Sequence, residues 1–303
     1  MTGAGIGNGA GTGAGDQSSP TQQATPHVPD PAQQRFPAVK LSGAGVVVTG
    51  AARGIGAALA RAFAAEGARV VVNDLDPEGT RAVAEEIGGF AMLGDAATEE
   101  GVALLIGAAR ELLGEIDVYC ANAGVGPAGT EQAAEELWAL SWDVNVMAHV
   151  RAAKALVPGW LERGEGCFVS TVSAAGLLTM LGSAPYSASK HAALAFAEWL
   201  AATYRHRGIR VHALCPQGVR TRMLGETGAA GEVLLTPTAI EPEQAAAAVI
   251  SALSRDQFLI LPHAEVAEYY AARAADPDRW LAGMNKLQRG IEARLESDQI
   301  ANA

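Results

Sequence analysis

Lysine is scarce in this chain: Lys40, Lys154, Lys190 and Lys286 are the only four among 303 residues, and no run of basic side chains forms a stripe. With a formal net charge of -11, the surface lacks the basic patch that a nucleic acid or an anionic membrane needs, so neither is expected as a partner. Cysteine is almost as rare. Cys120, Cys167 and Cys215 are odd in number, and each lies in or beside an apolar segment. That suits small core hydrophobes in a reducing compartment rather than a disulfide framework. No apolar stretch reaches the ~18 residues of a membrane helix, and the first 40 residues lack a basic start followed by an apolar core. No membrane span or secretory leader is expected, and the cytoplasm is the default location.

What is present is 49 % hydrophobic residues, ample for a large core. Residues 1–40 are rich in Gly, Ala and Pro without hydrophobic periodicity, and read as a disordered tail, either a tether or a dispensable extension. From residue 41 the texture changes. Short apolar runs at 46–49, 70–73, 90–93, 118–120, 167–170, 211–214 and 258–261 read as seven strands. Helical spacing of apolar residues marks 55–66, 78–87, 99–113, 134–162, 186–206 and 243–253, with two further helices at 264–275 and 278–295. Near-continuously apolar strands alternating with helices imply a parallel sheet covered on both faces. One α/β domain over 41–297 and a short tail at 298–303 are expected. The last two helices either cover the site or extend an oligomer contact.

Thr49-Gly50-Ala51-Ala52-Arg53-Gly54-Ile55-Gly56 follows the first strand and opens the first helix. Glycines permit a tight turn and close backbone approach to a pyrophosphate, and a helix N-terminus offers free amides. Asp74 ends the second strand, 18 residues after Gly56, where a carboxylate accepts hydrogen bonds from ribose hydroxyls. Farther along, Tyr186 and Lys190 stand four apart, one above the other on a helix face. A cation held beside a phenol favours its ionised form and makes it a usable acid or base. Ser173 lies thirteen residues before Tyr186; Ser170 and Thr171 are rivals for its place.

The ordered set of Thr-Gly-x-x-x-Gly-Ile-Gly at 49–56, Ala121-Asn122-Ala123-Gly124, Asn145, Ser173 and Tyr186-x-x-x-Lys190 resembles the short-chain dehydrogenase/reductase family over 41–261. The resemblance implies a three-layer, doubly wound Rossmann-type α/β fold on a seven-stranded parallel sheet. It implies a nicotinamide dinucleotide at the carboxyl ends of the strands, held by Gly50, Arg53, Gly54, Ile55, Gly56 and Asp74, with Asp95 and Ala96 near the adenine. Asn122, Ala123 and Gly124 would support or approach the cofactor, and Val219 and Thr221 would meet the carboxamide. Tyr186 would be the acid/base, Ser173 would polarise the substrate oxygen, and Lys190 would lower the tyrosine pKa and bind the nicotinamide ribose. Asn145 would interrupt the fourth helix and hold water in a proton relay.

Asp74 would repel the 2′-phosphate of NADP, so NAD is the expected cofactor; Arg53 is the dissenting residue. No metal is expected. Where relatives commonly have Pro-Gly-x-Val-x-Thr, this chain has Pro216-Gln217-Gly218-Val219-Arg220-Thr221, and Gln217 either contacts a polar substrate group or points to solvent. Met223 and the glycine-rich 222–242 stretch would form a lid over a small-molecule alcohol or ketone. Two other functions fit less well. A 3-oxoacyl carrier-protein reductase would need basic residues such as Arg151, Lys154 and Arg163 to dock an acidic carrier. An NAD-sensing regulator would have no use for an intact Ser173, Tyr186 and Lys190. The family likeness also implies a homodimer or homotetramer built through helices 134–162 and 186–206.

Overall fold

The structure, a computed structural model, describes residues 38–301; the expected N-terminal tail lies outside the described residues as far as residue 37. Seven strands are laid down in the chain: β1 (Gly45–Thr49), β2 (Arg69–Asp74), β3 (Phe90–Leu93), β4 (Val118–Ala121), β5 (Gly166–Thr171), β6 (Ile209–Leu214) and β7 (Leu259–Ile260). They form one sheet in the order β3-β2-β1-β4-β5-β6-β7 with every pairing parallel. This is the doubly wound arrangement expected. The β-branched runs explain the centre: Val46, Val47 and Val48 are fully buried, and such side chains are stiff and pack well on a pleated surface.

Alternation along the strands sends side chains to two cores. Val46, Val48, Val70, Val72, Cys120 and Cys167 face one side, where α1 (Gly54–Ala65), α2 (Pro77–Ile87) and α10 (Pro242–Arg255) cover them. Val47, Val71, Tyr119, Phe168 and Val211 face the other, under α3 (Glu99–Leu113), α5 (Ala148–Arg163) and α7 (Ala184–Tyr204). All three cysteines are free and buried. Burial pushes the Cys167 and Cys215 thiols up to about 12, as expected for core hydrophobes rather than nucleophiles.

Local signals set the helix ends. The Asp76 carboxylate accepts from the Glu78 and Gly79 amides, Pro77 starts α2, and Gly88 ends it in the left-handed conformation at φ 64°. Thr98 caps α3 through Gly101 N, and α10 opens on a capping box of Glu241 and Gln244.

The helices add detail to the sequence reading at four places. The helix expected over 134–162, with an interruption at Asn145, is α4 (Glu135–Trp142), a π-helical turn (Asp143–Met147) that contains Asn145, and α5. The 222–242 stretch, expected to form a lid, carries α8 (Arg222–Gly225) and α9 (Gly228–Leu234). A short helix α6 (Ala175–Leu178), too brief to show a period, follows β5. After β7 come α11 (Glu265–Ala275) and α12 (Pro277–Ala301), so the helix continues past residue 298, where a tail was expected; no Pro or Gly stands there to stop it.

Candidate active site

The chain reverses direction across the sheet between β1 and β4, and a cleft opens at the carboxyl ends of the strands there, the usual place for a ligand in an open α/β sheet. The cleft measures about 1530 Å³. Its floor is the turn from β1 into α1. Gly50 and Gly54 have φ of 62° and 55°, a region that other residues rarely adopt. No side chain caps α1, so its first-turn amides are left for whatever enters the cleft.

Every residue proposed from sequence lines this one cleft except Asn145. Gly50, Arg53, Gly54, Ile55 and Gly56 form one end with Asp74, Asp95 and Ala96; Ser173, Tyr186, Lys190, Gln217, Val219, Thr221 and Met223 form the other; Asn122, Ala123 and Gly124 lie between. The Asp74 carboxylate is held by two backbone amides, Oδ2 accepting from Ala52 N at 3.0 Å and Oδ1 from Asp76 N at 3.1 Å. Arg53 pairs with Asp76 at 2.8 Å, so its charge is already matched. Asp95 Oδ1 accepts from Ala97 N at 2.8 Å, fixing the turn after β3.

Asn122 borders the cleft, yet its side chain is committed to the sheet. Nδ2 donates to the Thr49 and Gly50 carbonyls at 2.9 and 3.2 Å, and Oδ1 accepts from the Thr171 hydroxyl at 3.0 Å. The Thr171 carbonyl in turn accepts from Lys190 Nζ at 2.9 Å. A single chain of bonds thus ties the glycine turn to the lysine.

Tyr186 sits in the first turn of α7 and keeps part of its surface open to the cleft, while Lys190, one turn on, is 3 % exposed. Burial lowers the Lys190 pKa to about 8. The expected depression of the tyrosine by the lysine is not found. Burial raises the Tyr186 pKa, and an interaction with the Ser173 hydroxyl is what pulls it back. Lys190 Nζ lies over the ring, 5.7 Å from its centre, with Thr171 as its hydrogen-bond partner. Nearby His149 is held down to about 3 by burial and then by the Lys190 charge, so no second cation competes. Ser173 Oγ accepts from Ala175 N at 3.0 Å, which anchors the hydroxyl at the mouth of β5. Ser170 turns away to bond His149 at 2.9 Å, and Thr171 is bonded to Asn122, so neither rival replaces Ser173.

Asn145 is the exception. It is fully buried in the π turn: Oδ1 accepts from Val125 N at 3.0 Å, and Nδ2 donates to Val125 O at 2.9 Å and Ser189 Oγ at 3.0 Å. Ser189 Oγ donates in turn to the Tyr186 carbonyl at 2.9 Å. The side chain therefore braces the Val125 turn and the tyrosine's helix, and has no open face on the cleft. A Cβ at Gly124 would stand 3.2 Å from Asn145 Oδ1 and 3.5 Å from Lys190 Nζ, so glycine allows this close passage.

Sequence reading missed two contributors. The α11–α12 pair, left undecided between site and interface, walls the cleft with Tyr269, Trp280, Met284 and Leu287 opposite Met223 and Leu234. The 280, 284 and 287 spacing was visible as a helical stripe, but nothing local said what it faces. The other is His263, whose Nδ1 accepts from Gln217 N at 3.2 Å and whose Nε2 meets Gly218 O at 3.1 Å. A lone histidine gives no signal in sequence.

A family model described as short chain dehydrogenase matches residues 44–231. A 1-deoxy-11-beta-hydroxypentalenate dehydrogenase of Streptomyces exfoliatus is 39 % identical over 237 residues, covering 72 % of this chain and 82 % of that protein. A 2,5-dichloro-2,5-cyclohexadiene-1,4-diol dehydrogenase of Sphingobium indicum is 37 % identical over 189 residues, covering 61 % and 76 %. Among solved structures, a short chain dehydrogenase/reductase from Burkholderia phymatum in complex with NAD superposes with a TM-score of 0.73 at 26 % identity, over 79 % of this chain and 95 % of that one.

Proposed function

This chain belongs to the short-chain dehydrogenase family, and from that premise we propose that it transfers a hydride between NAD and a bulky, largely apolar secondary alcohol or its ketone. The observation that carries the reading is the meeting of Ser173, Tyr186 and Lys190 in the same cleft as the uncapped α1 N-terminus and Asp74. A nicotinamide dinucleotide seated there supplies the hydride chemistry. Gly50, Gly54 and the α1 amides hold its pyrophosphate, Asp74 accepts from the adenosine ribose, and Lys190 serves the second ribose. Tyr186 takes the alcohol proton in oxidation and returns it in reduction, with Ser173 donating to the substrate oxygen.

NAD rather than NADP is supported by the Asp74 carboxylate, by the pairing of Arg53 with Asp76, and by the NAD complex of the Burkholderia structure. A bulky apolar substrate is supported by the wall of Tyr269, Trp280, Met284 and Leu287. The two relatives carry hydroxylated substrates in their names, hydroxypentalenate in one and a cyclohexadienediol in the other. The basic residues that an acidic carrier protein would need are already paired, Arg151 with Asp143, Lys154 with Glu99, and Arg163 with Glu115 and Asp117, which weighs against a carrier-protein reductase.

Trp142 and Trp199, 50 % and 54 % exposed on α4 and α7, support assembly of a homodimer or homotetramer through these helices. Among the described residues no helix is long and apolar enough to cross a membrane, in keeping with a cytoplasmic enzyme. A panel of secondary alcohols and ketones followed by NADH absorbance tests the activity. NAD binding without turnover across the whole panel would point instead to a sensor.

A further inference from the structure

We propose that His263 is a positioning residue for the reacting end of the cleft, clamping the Gln217–Gly218 segment so that Val219 and Thr221 are held where the nicotinamide ring must lie; this rests on the dinucleotide reading above. His263 stands in the short connection between β7 and α11 and is 3 % exposed. Its Nδ1 is 3.2 Å from Gln217 N, and its Nε2 is 3.1 Å from Gly218 O. A backbone amide only donates and a carbonyl only accepts, so the two bonds together require the neutral ring with its proton on Nε2.

The gripped segment lies at a junction. Just before it, the Pro216 carbonyl accepts from Ala174 N at 2.8 Å, beside Ser173. Just after it, Val219 bridges Ile240, and Arg220 N donates to Ile240 O at 2.9 Å. The lid presses from the other side: a Cβ on Gly218 would stand 2.3 Å from the Leu235 carbonyl. A loop between Ser173 and the 222–242 cover has to stay in register, because an error of about 1 Å at a reacting centre costs on the order of a hundredfold in rate.

The two bonds are not equivalent. Gly218 O has a second donor in Ile240 N, at 3.1 Å, whereas the acceptor for Gln217 N is His263 Nδ1. Losing Nδ1 leaves a part-buried N–H without that acceptor, and losing Nε2 leaves the carbonyl still bonded. This asymmetry makes the test sharp. Asparagine places an oxygen near the position of Nδ1 and keeps the Gln217 acceptor; glutamine places its amide near Nε2 and keeps only the Gly218 donor.

Wild type, His263→Ala, His263→Asn and His263→Gln are to be titrated with NAD and with ADP-ribose, which lacks the nicotinamide, and assayed for kcat. His263→Ala should weaken NAD about tenfold, the equivalent of one unmade hydrogen bond, and lower kcat, with ADP-ribose affinity unchanged. His263→Asn should recover most of the loss and His263→Gln little of it. Equal weakening of both probes, unchanged NAD affinity, or better recovery by glutamine than by asparagine would each overturn the proposal. If the alanine variant does not fold, the asparagine–glutamine comparison decides alone. Wild-type protein that binds neither probe would sink the dinucleotide reading, and the clamp's role with it.

Discussion

Removing the charge of Asp74 should turn the cofactor preference. Its two oxygens are fixed by Ala52 N and Asp76 N at 3.0 and 3.1 Å, so the carboxylate cannot swing away from a 2′-phosphate. Two like charges ~4 Å apart repel by about 1 kcal/mol in water and about 4 kcal/mol at an effective dielectric of 20. Converted at about 1.4 kcal/mol per decade, that range is roughly fivefold to several hundredfold against NADP. Asp74→Asn keeps an oxygen as acceptor for one amide and removes the charge, so the NAD to NADP ratio of kcat/KM should fall by about tenfold or more. Asp76→Ser should add to the change, because it frees Arg53 from its 2.8 Å partner while keeping a side chain able to cap α2. The pair is exposed by 49 % and 34 %, so its loss should cost little stability. The two sites are neighbours and need not add. The assay is steady-state turnover of one alcohol with each dinucleotide. A wild-type preference for NADP, or a ratio that Asp74→Asn leaves unchanged, would refute the charge argument.

Tyr186→Phe should retain dinucleotide affinity and lose about 10² to 10⁴ in kcat, measured by titration and turnover; near-normal turnover would end the proton-transfer assignment. Because burial raises the Tyr186 pKa, alcohol oxidation should still be climbing with pH at 10 while ketone reduction stays level at neutral pH, as rate profiles in both directions would report. For Lys190 the sign follows from its lowered value: between pH 8 and 10.5 the unfolded chain holds a proton that the folded chain has lost, so stability rises with pH in that window. Wild type should gain about 3 kcal/mol relative to Lys190→Met across it in denaturant titrations, and a flat difference would contradict the burial argument. Trp280→Ala should raise KM for bulky alcohols while sparing small ones; equal effects on both would remove α12 from the substrate wall.

Much of the site was legible because its signals are local. The glycine turn, Asp74 at a strand end, and Tyr186 four before Lys190 each announce themselves within a few residues, and the parallel sheet brings strand ends to one edge wherever helices alternate with strands. The errors arose where partners are distant in the chain. Asn145 was expected to interrupt the fourth helix and hold water; it lies in the π turn, and Val125 and Ser189, 20 and 44 residues away, occupy its side chain. Lys190 was expected to depress the tyrosine pKa; its Nζ donates a hydrogen bond to the Thr171 carbonyl, and burial acts on both groups.

By itself, then, the sequence determined the alternation of strands and helices, the edge at which the site gathers, and the candidates for its acid/base, because periodicity and short motifs are properties of neighbouring residues. Tertiary structure alone decided that α11 and α12 wall the cleft, that Asn145 is a brace, and that His263 grips a loop 46 residues earlier. The physical reason is that a hydrogen bond or an apolar contact acts over a few ångströms of space, and only the folded chain says which residues come that close.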